Sequence, residues 1–217
     1  MKSIVEQICY VGRVMFERNL TDIAGGNITI RDSDTVYCTP RYAGNQWHWQ
    51  LNPENIVVGP VLTDELLSNP SFTREGLSHL AIYRAFPFVR AIIHAHPRHV
   101  LPFVAFERPL FPVLKATRKF GTLKYIGQAP NFSQEQADDI VEKFRGQEEL
   151  MHQSAAAVLM PQHGIILAGI KIMDVLDSLE RIDTNAYCLI TQSLLPASFN
   201  PDLATTGNNK STDSYAE

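Results

Sequence analysis

The residues best suited to chemistry in this chain are His94 and His96, in the run Ala91-Ile92-Ile93-His94-Ala95-His96-Pro97. An apolar stretch with two isoleucines, stopped by a proline, predicts a short buried β-strand. Residues two apart on a strand project to the same face, so the two imidazoles stand side by side. Held on a rigid strand, such a pair can bind one metal ion with little loss of side-chain freedom. The same pair can also be two hydrogen-bonded core histidines with no ion.

Three other places carry polar groups at points where a site can form. Ser71-Phe72-Thr73-Arg74-Glu75 predicts a helix start, with Ser71 or Thr73 as N-cap and Glu75 in the first turn. There a carboxylate gains about 0.3–1 kcal/mol from the helix dipole, which alone accounts for it. His163 lies in Pro161-Gln162-His163-Gly164, between two apolar strands expected at 156–160 and 165–168. A histidine at such a turn is equally placed to point into a site or to bond the turn itself. Asn27 follows Gly25-Gly26 at the mouth of a strand over 28–31; the glycines permit a sharp turn and close approach of a ligand, or simply a turn.

Taken together, three neutral imidazoles with an open position make a catalytic zinc site, at which a metal acts as Lewis acid on a carbonyl or enolate oxygen. A carboxylate outside the ligand set is what proton abstraction next to that carbonyl requires. Iron, manganese and cobalt also accept imidazole.

The elements that must position these groups follow in order. Residues 3–19 carry Ile4, Ile8, Val11 and Met15 on one stripe and predict an amphipathic helix. Strands at 28–31 and 35–39 form a hairpin through Asp32-Ser33-Asp34, and an aromatic loop over 42–49 holds Trp47 and Trp49, to cover a pocket or to meet a neighbouring subunit. A strand at 56–58, a short helix from Pro97 to Phe106 that takes His99 off the strand face, and strands at 110–115 and 123–126 come next. Ser133-Gln134-Glu135-Gln136 is a capping-box pattern opening a helix to about Gly146, and 174–195 is a long helix. From residue 200 the composition turns polar, which predicts a mobile tail after a domain over 1–199.

Composition sets the outer limits. The 217 residues suffice for one large domain with a full core, and 45% apolar with 19% charged residues is ordinary for a globular protein. A net charge of −4 leaves no basic footprint for nucleic acid. Three scattered cysteines, Cys9, Cys38 and Cys188, point to a reducing compartment and away from a disulfide framework. Polar residues interrupt the N-terminus too early for a signal peptide, and no run nears the roughly 20 apolar residues of a membrane span. A cytoplasmic protein without a membrane partner is expected.

The ordered set Gly26-Asn27-Ile28-Thr29 with Arg31, Thr39-Pro40, the Glu75 helix, His94-Ala95-His96-Pro97 and His163-Gly164 resembles the class II aldolase/adducin family, over about residues 4–195. The resemblance implies an α/β fold, three-layered α/β/α around a mainly antiparallel sheet, and a homotetramer with sites at subunit interfaces. It implies Zn2+ on His94, His96 and His163, Glu75 as the acid/base for the carbon-bound proton, and Asn27, Thr39 and Thr73 around a substrate phosphate. The implied activity is cleavage of a carbon–carbon bond in a small phosphorylated ketose, as in fuculose-phosphate and rhamnulose-phosphate aldolases.

Three departures bear on the substrate. Thr39-Pro40 runs into Arg41-Tyr42-Ala43-Gly44 where the family has a small hydroxyl and glycine, Arg74 replaces a serine, and Lys115 stands where an interface tyrosine is expected to handle the aldehyde's proton. Arg41 and Arg74 can grip a phosphate or a carboxylate bidentately, or can be solvated surface charges. Decarboxylation of a small keto or hydroxy acid on the same scaffold is therefore the alternative, with Arg74 or Lys115 orienting the carboxylate. A thioribulose-phosphate dehydratase is a further possibility; the family's epimerases carry aspartate in place of Glu75. A non-enzymatic module like the adducin head lacks the metal ligands that this chain retains.

Overall fold

Helix α1 (Ile4–Glu17) begins as its sequence dictates: the Ser3 hydroxyl accepts from the Glu6 N–H, and the Glu6 carboxylate accepts from the Ser3 N–H at 2.7 Å. This capping box satisfies two donors that a helix start leaves open. The computed structural model describes residues 2–195, so the polar tail expected from residue 200 lies outside the described residues.

After α1 come β1 (Asn27–Asp32), β2 (Thr35–Cys38), the single turn α2 (Ala43–Trp47), β3 (Val57–Pro60), α3 (Gly76–Ala85) and β4 (Ala91–Ala95). Then follow α4 (Leu101–Ala105), β5 (Lys124–Tyr125), α5 (Gln134–Phe144), α6 (Glu148–Gln153), β6 (Ala155–Met160), β7 (Gly164–Gly169) and α7 (Ile172–Thr191). The strands form one sheet in the order β3-β2-β1-β4-β7-β6-β5. Every neighbouring pair is antiparallel except β5 with β6.

Strand β4 lies at the middle, fully buried, between β1 and β7. Its alternation divides two cores. Ala91, Ile93 and Ala95 join Ile8, Val11 and Met15 of α1 and Val175, Leu179 and Ile182 of α7 on one face. Ile92 joins Leu80 of α3 and Ile140 and Phe144 of α5 on the other. A sheet apolar on both faces must be covered on both, and the result is the three-layer α/β/α arrangement.

Four local expectations change. The 42–49 segment is no open loop: α2 is bracketed by Tyr42 and His48, both with left-handed φ, and Trp49 is wholly buried with its Nε1–H donating to the Asp22 carbonyl at 2.8 Å. Trp49 thus fills this chain's own core. Residues 110–115 form no strand, because Pro109 and Pro112 remove ladder donors, and the Val113 and Leu114 N–H groups donate to Asn185 Oδ1 of α7. Helix α3 starts at Gly76, which puts Glu75 at the N-cap position and not within the first turn. The capping box at 133–136 is half made: Ser133 Oγ accepts from Gln136 N–H, but Gln136 Oε1 accepts from Phe132 N–H.

Candidate active site

On β4 the even residues face α3, so His94, 1% exposed, projects towards the head of that helix. Pro97 ends the strand, and His96 just beyond it keeps to the same side, with the ring centroids 5.1 Å apart. Antiparallel pairing of Ala95 with Ile165 brings the β6–β7 turn to this end of β4, and with it His163, 4.7 Å from His94 and 5.5 Å from His96 between centroids. Gly164 makes this approach possible: a Cβ there would lie 2.5 Å from the Ala95 carbonyl oxygen and 2.8 Å from the His96 ring.

One nitrogen from each of the three imidazoles lies within 4.8 Å of the others. His94 Nδ1 is 3.1 Å from the Ile165 carbonyl, which assigns it the proton and leaves Nε2 free to ligate. Burial pushes the His94 pKa down to about 3, against the opposing pull of Glu75, so this imidazole is neutral. His96 Nε2 and His163 Nδ1 are buried without a hydrogen-bond partner. Converging and partly unsatisfied imidazoles fit a divalent transition ion, and this set could hold one.

Glu75 faces the same space and is 5% exposed. Its Oε1 is 3.3 Å from His163 Nε2 and 3.7 Å from His94 Nε2, while Oε2 accepts from Asn27 Nδ2 at 3.1 Å and from Thr73 Oγ1 at 3.4 Å. Burial works to raise the Glu75 pKa, but the imidazoles of His94 and His163, with His79 behind them, outweigh it and hold the carboxyl below its ordinary range. Asn27 arrives because β1 pairs with β4 in the register that sets it opposite His94. One turn below Glu75, His79 is wholly buried; its Nδ1 is 2.8 Å from Thr29 Oγ1, which also meets the Tyr83 hydroxyl at 2.8 Å.

These groups open into one cleft, bounded by the loops at 23–27 and 40–44. Its rim carries Arg41 and Arg74, neither in an ion pair among the described residues. The Arg74 guanidinium lies 4.9 Å from the Phe132 ring, the Arg41 guanidinium 5.1 Å from the Tyr42 ring, and Arg41 Nε is buried with no partner. Two cations over aromatic faces, with hydrogen-bond donors unspent, could hold an anion.

Of the residues singled out from sequence, His94, His96, His163, Glu75, Asn27, Thr73, Arg41 and Arg74 line this one cleft. Thr39 and Lys115 do not. The Thr39 hydroxyl accepts from the Ile28 N–H at 3.1 Å, and Lys115 is exposed at the head of a 3-10 turn, Lys115–Phe120. Sequence reasoning passed over His79, whose spacing of four from Glu75 signals a shared helix face, and Phe132, for which no local signal exists.

The family model for the class II aldolase and adducin N-terminal domain matches residues 6–190. An L-fuculose phosphate aldolase of Methanococcus maripaludis is 25% identical over 158 residues, 72% of this chain and 79% of the relative. A 3-oxo-tetronate 4-phosphate decarboxylase of Haemophilus influenzae is 23% identical over 197 residues, 86% of each chain. The solved structure of an L-fuculose 1-phosphate aldolase superposes with a TM-score of 0.73 at 21% identity, covering 90% of this chain and 91% of the other. With the match running through every strand of the sheet and every residue of the cleft, the chain belongs to the class II aldolase and adducin N-terminal domain family.

Proposed function

We propose that this aldolase-type lyase cleaves a carbon–carbon bond in a small phosphorylated ketose, with His94, His96 and His163 holding a divalent ion, zinc first among them. The observation that carries the reading is Glu75: a buried carboxylate, outside the imidazole set, facing the space between His94 and His163 at 3.7 and 3.3 Å. When bound, the ion supplies Lewis-acid polarisation to the substrate's carbonyl and adjacent hydroxyl oxygens.

Glu75 is the group that moves the carbon-bound proton. In the condensation direction its carboxylate takes the proton from the carbon next to the carbonyl, and in cleavage it returns one to that carbon. Asn27 and Thr73 hold its second oxygen and fix the first towards the substrate. As the bond breaks, the electron pair stays on the carbon beside the carbonyl and the neighbouring carbinol loses its O–H proton to become the aldehyde. Lys115 of a neighbouring copy is our candidate for that second proton, in a homotetramer with sites between subunits. Arg41 and Arg74 grip the anionic end of the substrate, while Thr73 beside them spends its one hydroxyl proton on Glu75 and Thr39 holds the strand behind. We place the enzyme in the cytoplasm, in keeping with three unpaired cysteines; no described helix is long and apolar enough to cross a membrane.

A second reading is decarboxylation of a small keto or hydroxy acid, favoured by the two unpaired guanidiniums, which suit a carboxylate as well as a phosphate. The relative named as a decarboxylase, matched over 86% of each chain, supports keeping it.

The test is elemental analysis of untagged protein, followed by incubation with ketose phosphates and with phosphorylated 3-keto acids. About one ion per chain and aldehyde release are expected. Carbon dioxide release in place of aldehyde selects the second reading, and absence of metal, with none taken up on titration, sinks both in favour of a scaffold.

A further inference from the structure

We infer that Asp22 is a positioning residue for His96: its carboxylate holds the imidazole proton on Nδ1 and thereby reserves Nε2 for a metal ion. The inference rests on the reading of the three histidines as a metal site.

Asp22 Oδ1 lies 3.4 Å from His96 Nδ1. The same oxygen accepts from the Ala24 N–H at 2.8 Å and the Gly25 N–H at 3.0 Å, so two backbone donors fix its direction. The loop carrying it is anchored at both sides: the Asp22 carbonyl accepts from the buried Trp49 Nε1–H, and Thr21 Oγ1 donates to the Gly25 carbonyl. Gly25 forms the wall of the slot in which the ring lies, since a Cβ there would come 2.2 Å from His96 Cε1 and 3.0 Å from each ring nitrogen. Gly26 then turns the chain with a φ of +94°, which only glycine adopts freely.

His96 Nε2 is buried with no partner, so the slot presents an unsatisfied nitrogen to the cleft. A neutral imidazole carries one proton, and the hydrogen bond made by one nitrogen decides the state of the other. His94 solves the same problem with a backbone carbonyl, that of Ile165. His96, past the end of the sheet ladder, has no such carbonyl and uses a carboxylate. A turn-capping role alone explains the Ala24 and Gly25 contacts but not the aim of the oxygen at His96.

Two substitutions separate these roles. Asp22→Ser keeps a hydroxyl oxygen for the turn but is too short for His96. Asp22→Asn keeps a carbonyl oxygen, which the two N–H groups hold in the same direction. The metal-free chain is labelled with 15N, and the His96 signals are assigned by their loss in His96→Gln; zinc affinity is measured by chelator competition. Wild type is expected to show His96 protonated on Nδ1. Asp22→Ser should populate the Nε2–H form and weaken zinc binding about 10–100-fold, and Asp22→Asn should recover most of that loss. A wild-type His96 protonated on Nε2 overturns the inference without recourse to any variant, as does Asp22→Ser binding zinc within twofold of wild type. An Asp22→Asn chain as weak as Asp22→Ser overturns it too. If wild type binds no zinc at all, it is the histidine-site reading that falls, and this inference with it.

Discussion

Glu75 and His163 meet at 3.3 Å across the cleft, one from the head of α3 and the other from the β6–β7 turn. They come from different layers of the fold: α3 belongs to a covering layer, and the turn belongs to the sheet. The proposed acid/base group and the imidazole set are therefore carried on separate elements, so substitutions can address each separately.

His94→Ala should abolish stoichiometric metal binding while the fold survives, because β4 is held by backbone ladders to β1 and β7 on both sides. Elemental analysis with far-UV circular dichroism checks this. One ion per chain retained in the folded variant would rule out the ligand assignment.

Glu75→Gln is nearly isosteric and leaves the three imidazoles in place. Metal content and substrate binding should persist, while exchange of the proton next to the carbonyl slows by about 10²–10⁴-fold, the usual worth of a positioned acid/base. Deuterium uptake into the substrate, followed by NMR, reads the step directly. Exchange near the wild-type rate would remove Glu75 from the chemistry.

Arg74→Ala should raise KM for an anionic substrate about 10-fold, equivalent to roughly 1.4 kcal/mol, with kcat little changed. The magnitude is kept modest because Arg74 is exposed. Arg74→Lys retains the charge but loses the planar fork and the stacking on Phe132, so it should recover only part of the loss. Steady-state kinetics on both variants decide it; unchanged KM and kcat would mean a surface charge.

His79 gives the metal-free protein a pH dependence. Burial pushes its pKa from 6.5 down to about 4, against the opposing pull of Glu75. Between those values the unfolded chain takes up a proton that the native chain refuses, so stability is full above about 6.5 and falls as pH drops towards 4. The loss attributable to His79 is at most about 3 kcal/mol. His79→Gln should be less stable at neutral pH, having lost the contact with Thr29, yet show a shallower fall on acidification. Urea unfolding at pH 7 and 4.5 compares the two, and parallel slopes would count against the assignment.

Much of the framework is legible along the chain. The stripe of Ile8, Val11 and Met15 behind a Ser3 cap gives α1, and two apolar runs around Pro161–Gly164 give β6 and β7. The pairing of His94 with His96 follows from a two-residue period and needs no fold. Each of these depends on residues that are neighbours in sequence, so periodicity and capping chemistry suffice. The segment at 110–115 shows the limit: its apolar residues read as a strand, while two prolines and an acceptor on distant α7 decide otherwise.

Read along the chain alone, the residues yield a set of elements and a list of side chains able to bind a metal, move a proton or hold an anion. Which of them meet is settled by the packing of the folded chain. Asn27 reaches Glu75 across 48 residues of chain, and His94 finds the Ile165 carbonyl across 71, because β1 and β7 flank β4 in fixed register. It also left Lys115 on the surface and turned Trp49 into core. The physical reason is that register and layer packing arise from burying both faces of one sheet at once, a condition set by the whole chain and written in no single stretch of it.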